Sequence, residues 1–102
     1  MNQTEIRQLF NRARRVLKHP GLDLLVAPTD APKGILIVVT PGRIGNAVAR
    51  NLVRRRIKAI INEAQLLARG LDLVVFVKKD GVTIPYEQLK QLILSSLQQK
   101  IR

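Results

Sequence analysis

The sequence predicts a small α+β domain in which helices pack on a mixed β-sheet, with the elements in the order α-β-β-α-β-α. Hydrophobic residues make up 46% of the 102-residue chain, which suffices for one core and is too much for a disordered basic tail. Three short apolar runs are typical of strands, and three longer segments repeat apolar residues at helical spacing. We therefore expect a single domain that spans residues 1–102.

The predicted elements follow one another with short connections. The first helix is expected over residues 3–18, capped by Asn2 and stopped by Pro20-Gly21. The strands are expected at residues 22–27, 35–40 and 71–77. A hairpin should join the first two strands, whereas the long helix between the last two makes them parallel. The last helix starts at Pro85, and its apolar stripe comprises Tyr86, Leu89, Leu92, Ile93 and Leu97, with Ile101 as a further candidate.

The long helix, predicted from about Asn46 to about Ala68, has two contrasting faces. Its apolar side comprises Val48, Ala49, Leu52, Val53, Ile57, Ile60, Ile61 and Ala64. Its basic side comprises Arg50, Asn51, Arg54, Arg55, Lys58 and Asn62. No acidic residue occurs between Asp30 and Glu63, so nothing compensates the repulsion along the basic side. The pattern indicates an anionic partner, and the mixture of arginine and asparagine suits a structured nucleic acid better than a membrane.

A glycine turn, Gly42-x-x-Gly45, precedes the long helix. It is similar to the backbone clamp of KH domains, but that clamp joins two helices and this turn follows a predicted strand. We expect the turn to expose the N–H groups at the helix N-terminus, which together with Arg43 would seat a phosphate.

The composition restricts the function classes. A formal net charge of +11 favours a polyanionic partner. The chain has no cysteine, one histidine and seven scattered acidic residues, so no catalytic or metal-binding cluster is predicted. His19 is expected to end the first helix, and Asp72 to pair with Lys78 or Lys79. No apolar run approaches the roughly 20 residues that span a bilayer, so we expect a cytoplasmic protein with no membrane partner.

The segment that starts at the glycine turn resembles a known family. The run Gly45-Asn46-Ala47-Val48-x-Arg50-Asn51-x-Val53-Arg54-Arg55 is similar to the signature of the bacterial ribonuclease P protein component. The family pattern continues in Asp72-Leu73-Val74-Val75, in Lys78-Lys79 and in Tyr86-Glu87, and the family usually has aromatic residues where Ile6 and Phe10 stand. The chain departs from the family at Leu52, where a second arginine is usual, at Gly42, which replaces a basic residue, and at Ile6. It also lacks the usual basic extensions.

The resemblance implies a ribonuclease P protein-like fold, akin to the second domain of the fifth small-subunit ribosomal protein. It implies the non-catalytic subunit of an endoribonuclease, whose catalytic RNA removes the 5′ leader of precursor tRNA. That RNA and precursor tRNA would be the partners, Mg²⁺ would be held mainly by them, and no obligatory protein partner is evident. The residues expected to contact the catalytic RNA are Arg43, Asn46, Arg50, Asn51, Arg54, Arg55 and Lys58. Those expected to contact the leader are Ile6, Arg7, Phe10, Arg14 and Lys78.

Other interpretations fit part of the pattern. The main alternative is a structural RNA-binding protein of the ribosomal type, which needs only one basic face and has no role in cleavage. A stand-alone nuclease is disfavoured by the scattered acids, and a DNA-binding regulator by the lack of a helix-turn-helix pattern. Phe10 can be either a core residue or a platform on which a single-stranded base stacks.

Overall fold

The fold contains the predicted helices and one strand more than predicted. A computed structural model describes residues 2–101, with side chains described for residues 2–98. Its elements are α1 (Gln3–Arg12), β1 (Arg14–Lys18), β2 (Leu22–Pro28), β3 (Leu36–Val39), α2 (Ala47–Glu63), β4 (Leu71–Val77) and α3 (Tyr86–Ile101). Short 3-10 turns lie at Gly42–Ile44, Leu66–Ala68 and Lys79–Thr83. The predicted α+β class with a mixed sheet is confirmed.

The sheet has the strand order β1-β2-β4-β3, so the last strand in sequence lies in its interior. The predicted parallel pairing across the long helix is confirmed, because β3 and β4 are parallel. The predicted hairpin between residues 22–27 and 35–40 is wrong, since β4 lies between those two strands. The antiparallel hairpin instead joins β1 to β2.

The first helix ends at Arg12, short of the predicted residue 18. Asn2 caps it as predicted, because its Oδ1 atom accepts the Glu5 N–H at 2.8 Å. Ala13 then adopts extended backbone, with φ −76° and ψ 142°, and the chain enters β1. The spacing of apolar residues fits a helix here, but pairing with β2 satisfies the backbone groups in a ladder instead. His19 therefore lies in the β1–β2 turn, where its Nδ1 atom accepts the Gly21 N–H at 2.9 Å.

The two faces of the sheet are covered by different helices. On one face, α2 and α3 enclose the main core with Leu22, Leu24, Val53, Ile57, Ile60, Ile61, Leu73, Val75, Leu89, Ile93 and Leu97. On the other face, α1 buries Leu9 against Ala27 and Val74. The Ile101 side chain, predicted as part of the α3 stripe, lies outside the described side chains. Alternating strand residues thus support a three-layer arrangement of α1, sheet and paired helices.

The long helix is shorter than predicted, ending at Glu63 instead of near Ala68. Gln65 interrupts it by adopting a left-handed conformation with φ 53°, and a 3-10 turn follows. Leu66 in this turn is 1% exposed, so packing on the core favours the break over another helical turn.

The predicted pairing of Asp72 with Lys78 or Lys79 is wrong, because Asp72 pairs with Arg12. Its Oδ2 atom lies 2.9 Å from Arg12 Nη2, and its Oδ1 atom accepts the Ile35 N–H at 2.8 Å. With 2% exposure, the carboxylate is buried where α1 ends over the sheet. These contacts fix the last residue of α1 to the start of β4 and to the segment that leads into β3.

Candidate nucleic-acid interface

The N-terminus of α2 is built by the glycine turn that the sequence indicated. The 3-10 turn of Gly42–Ile44 is anchored by Ile44, which is 6% exposed, and Arg43 beside it is exposed. Asn46 is the N-cap, and its Oδ1 atom accepts the Ala49 N–H at 2.8 Å. The Asn46 side chain thus holds the helix start through its Oδ1 atom, and the residue as a whole is exposed. A strand precedes this turn, unlike the helix-joining clamp of KH domains.

A shallow groove of about 440 Å³ runs along the outer side of α2. It is lined by Val48, Asn51, Arg54, Arg55 and Lys58. Four of these are residues predicted to contact RNA, and no acidic residue is among the lining. Three cations and one amide along one surface match a phosphate backbone, because arginine and lysine bind phosphate and asparagine can both donate and accept. We call this surface the α2 groove.

Arg54 is held in the α2 groove by two polar side chains. Its Nη1 atom donates to Asn51 Oδ1 at 3.3 Å, and its Nη2 atom donates to Thr40 Oγ1. Thr40 follows β3 and is 8% exposed, so it is a fixed partner. The guanidinium is therefore oriented before any ligand binds. Sequence reasoning missed Thr40, because no local pattern links a strand end to a helix residue.

Arg50 lies at the edge of the basic face and does not line the α2 groove. It precedes Ile57 by seven residues, about 700°, so both lie on nearly the same side of the helix. Arg50 is half-buried, and its Nε atom is buried with no hydrogen-bond partner among the described residues. Arg50 therefore lies between the buried core side of α2 and the α2 groove.

Val48 and Leu52 do not face the core, contrary to the prediction. Val48 is 76% exposed and Leu52 is 37% exposed. Val48 precedes the buried Val53 by five residues, which is about 140° around the helix. The predicted apolar side was therefore too broad, and Val48 places an apolar group among the cations of the α2 groove.

Phe10 lies on the sheet face opposite α2, beside a second aromatic ring. The centroids of the Phe10 and Phe76 rings are 5.8 Å apart with an interplanar angle of 44°, and Phe10 is 36% exposed. Ile6, one turn earlier in α1, is half-buried. Sequence reasoning missed Phe76. Its signal was its position in β4, where it shares a face with Val74 and alternates with the core residue Val75.

Basic residues gather near this aromatic pair around one acid. Lys78 Nζ lies 2.8 Å from Asp23 Oδ1, and Arg15 Nη1 lies 3.7 Å from Asp23 Oδ2. Asp23 pairs with Phe76 in the β2–β4 ladder, so both side chains lie on the same face. Arg7 is exposed on α1, three residues before Phe10. We call the surface formed by Ile6, Arg7, Phe10, Phe76 and Lys78 the α1 face.

Arg14 is separated from the other residues predicted to contact the leader. It pairs with Val26 in the β1–β2 ladder, and Val26 packs on the core beneath α2 and α3. Arg14 therefore lies on the opposite side of the sheet from Phe10. It lines a different pocket, together with Arg12 and Arg69.

Comparisons with known proteins agree on one family. The family model described as Ribonuclease P matches residues 1–101. The ribonuclease P protein component of Paramagnetospirillum magneticum is 37% identical over 93 residues, covering 82% of this chain and 68% of that protein. The chain belongs to the bacterial ribonuclease P protein family. The component from Clavibacter michiganensis subsp. michiganensis is 30% identical over 102 residues, covering 96% of this chain and 88% of that protein.

The solved structures of the family have the same fold. The ribonuclease P protein of Staphylococcus aureus matches with a TM-score of 0.79 at 14% sequence identity, covering 98% of this chain and 92% of that one. The ribonuclease P signature, from Gly45 to Arg55, spans the N-cap and the first half of α2. Asn46 is its cap, Val53 its core anchor and Arg55 its solvent-facing cation. The signature therefore combines residues that build the helix with residues that line the α2 groove.

Members of the ribonuclease P family are the protein component of an endoribonuclease. Among the side chains of residues 2–98, no three His, Asp or Glu residues lie together as metal ligands would. Asp23 and Asp72 are engaged by Lys78 and Arg12. These residues do not fit a Mg²⁺ site, and we assign no chemical step to them. No helix in the described part of the chain is long and apolar enough to cross a membrane.

Proposed function

We propose that this chain is the ribonuclease P subunit that binds the catalytic RNA along the α2 groove and the 5′ leader of precursor tRNA on the α1 face. In this role it assists the Mg²⁺-dependent removal of the leader during tRNA maturation in the cytoplasm. The observation that carries the proposal is the acid-free α2 groove, with Asn51, Arg54, Arg55 and Lys58 on one surface. Membership of the family supports it.

The α2 groove is suited to a folded RNA because its cations are arranged before binding. The contacts of Arg54 with Thr40 and Asn51 hold one guanidinium in place, so less side-chain entropy is lost when a phosphate binds. Val48 adds an apolar contact for a ribose or a base. Arg43 and Asn46 extend the same surface past the helix N-terminus.

The α1 face is suited to a single strand because it combines an exposed ring with nearby cations. Phe10 is partly exposed and packs on Phe76, so a base can stack on a ring that is already supported. Exposed Arg7 supplies positive charge for the backbone of the same strand, and Lys78 and Arg15, which share the single carboxylate of Asp23, add a net positive charge. Phe76 also offers a second aromatic ring on a face where Ile6 stands in place of an aromatic residue.

Mg²⁺ in this proposal is held by the catalytic RNA and the precursor. The purified protein alone is therefore expected to leave precursor tRNA intact at every Mg²⁺ concentration, because no cluster of metal-ligating side chains lies among residues 2–98. The measurement is gel analysis of 5′-labelled precursor after incubation with protein that has been treated with nuclease to remove RNA. Specific cleavage at the leader junction by that protein would contradict the proposal.

Replacing Phe10 by leucine tests the α1 face. The variant keeps an apolar side chain but removes the ring, and a stacked base contributes roughly 1–3 kcal/mol. We expect the complex with catalytic RNA to bind leader-bearing precursor about 5- to 150-fold more weakly, with little change in its affinity for mature tRNA. Fluorescence titration of both RNAs gives the two dissociation constants.

The control for this variant is Tyr86→Leu, which removes an aromatic ring from the start of α3 and should leave the preference for the leader unchanged. Thermal melting of Phe10→Leu should stay within a few degrees of the original chain, because the residue is 36% exposed. A large drop in melting temperature with undiminished preference for the leader would show that Phe10 is a packing residue only.

A further inference from the structure

A pocket of about 310 Å³ lies on the α3 side of the sheet, away from both surfaces already described. It is lined by Arg12, Arg14, Val16, Val26, Pro28, Arg69, Leu71 and Leu97. The ladder pairs Arg14 with Val26 and Pro28 with Leu71, so the pocket sits where β1 and β4 begin and β2 ends. We call it the arginine pocket.

The floor of the arginine pocket is apolar and fixed. Val16, Val26 and Leu71 are half-buried and pack against the main core. Leu97 of α3 is 1% exposed and closes the pocket from above the sheet. A floor of this kind favours a flat or aliphatic group and offers it few hydrogen bonds.

The rim of the arginine pocket is cationic and largely unneutralised. Arg12 is fixed there, because its Nη2 atom lies 2.9 Å from Asp72 Oδ2 and its Nη1 atom donates to the Pro28 carbonyl at 2.6 Å. Arg14 and Arg69 are exposed, and neither forms an ion pair with an acid among the described side chains. The rim therefore has two arginines available for an anion beside one that is already held.

We propose that the arginine pocket binds one nucleotide of a single-stranded RNA, with the phosphate on Arg14 and Arg69 and the base on the apolar floor. Guanidinium groups match phosphate oxygens in pairs and also stack on bases. The volume is at the lower end of the range for small-ligand pockets, which is suitable for a single nucleotide and too small for a duplex. This inference rests on the proposed RNA-binding function and adds a third contact surface to it.

The binding site is tested with isotope-labelled methyl groups observed by NMR. Uridine 5′-monophosphate is expected to shift the methyl resonances of Val16, Val26 and Leu71, whereas uridine and inorganic phosphate bind at least about tenfold more weakly, because each makes only half of the contacts. Equal affinity of inorganic phosphate and the nucleotide would overturn the assignment, as would unchanged resonances at these residues.

The source of the nucleotide is tested with single-stranded hexauridylate. An RNA site requires the hexamer to shift the same methyl groups with at least tenfold higher affinity than the monophosphate. Equal affinities would show a site for free nucleotides and would contradict the assignment to RNA.

Matched variants separate the arginine pocket from the other surfaces. The double variant Arg14→Gln, Arg69→Gln should weaken the nucleotide-induced shifts at least tenfold, while Lys79→Gln, on the turn at the far end of β4, should leave them unchanged. Phe10→Leu should also leave them unchanged, because Phe10 lies on the opposite side of the sheet. Loss of the shifts in Phe10→Leu but not in the double variant would overturn the inference. The NMR readout needs no catalytic RNA, so its outcome is independent of whether the chain acts in ribonuclease P.

Discussion

Replacing Arg54, Arg55 and Lys58 together by glutamine is expected to weaken binding of the catalytic RNA about a hundredfold at about 0.15 M salt. Each phosphate contact releases close to one counterion, which alone is equivalent to about fivefold in affinity at that ionic strength. All three side chains line the α2 groove, and no acid offsets them there. The same substitutions should make the negative slope of log affinity against log salt concentration shallower by about two to three. Filter binding over a range of salt concentrations measures both quantities.

The control removes the same number of charges from other parts of the chain. Lys33→Gln, Lys79→Gln and Lys90→Gln alter residues that do not line the α2 groove. This triple variant should lose much less affinity and keep most of the salt slope. Equal losses in the two triple variants would mean that RNA binding depends on net charge alone, and the α2 groove would have no special role.

Gly34→Ala is expected to destabilise the folded protein severely. A Cβ atom at residue 34 would lie 1.8 Å from the Leu71 carbonyl oxygen, which belongs to the sheet and cannot move aside. The Gly34 N–H also donates to the Leu67 carbonyl at 2.7 Å, so the segment is held in place. We expect a loss of more than about 4 kcal/mol in the free energy of unfolding, or no folded protein. Urea denaturation followed by circular dichroism gives this value.

Gly42→Ala is the matched control for that substitution. No atom lies within 4 Å of a Cβ built at Gly42, so the added methyl group meets open space. Its melting temperature should stay within a few degrees of that of the original chain. If Gly34→Ala were as stable as Gly42→Ala, the close approach between residue 34 and β4 would be wrong.

The elements with strong local patterns could be predicted from the sequence, and the pairing of strands could not. The α2 helix and the β4 strand were visible as a two-faced helix and a nearly continuous apolar run. Strand β1 was hidden, because Ala13, Val16 and Leu17 also fit the apolar spacing of a helix. The conformation of β1 is decided by its hydrogen-bond ladder with β2. The apolar spacing within residues 3–18 carries no information about that pairing. The same limit explains the wrong hairpin, since β4 inserts between β2 and β3 from far along the chain.

The candidate site was predictable where one helix carries it and not where distant elements meet. Asn51, Arg54, Arg55 and Lys58 fall on one surface because helical spacing alone puts them there. Thr40 and Phe76 were missed, because each contacts its partner across the fold, Thr40 from the end of β3 and Phe76 from within β4. Arg14 was grouped with the leader residues as part of the first helix. Once residue 14 begins a strand, its side chain lies on the other side of the sheet.

Cleavage of precursor tRNA by a bacterial catalytic RNA at low Mg²⁺ concentration is the sharpest test of whether this chain acts as a ribonuclease P subunit. The reaction is measured without protein, with this protein, and with the variant that lacks Arg54, Arg55 and Lys58. We expect specific removal of the 5′ leader with the protein, little cleavage without it, and a return toward the RNA-only rate with the variant at the same protein concentration. A structural RNA-binding protein of the ribosomal type would give no acceleration. Equal cleavage rates in all three reactions would contradict the assignment of this chain as a ribonuclease P subunit acting through the α2 groove.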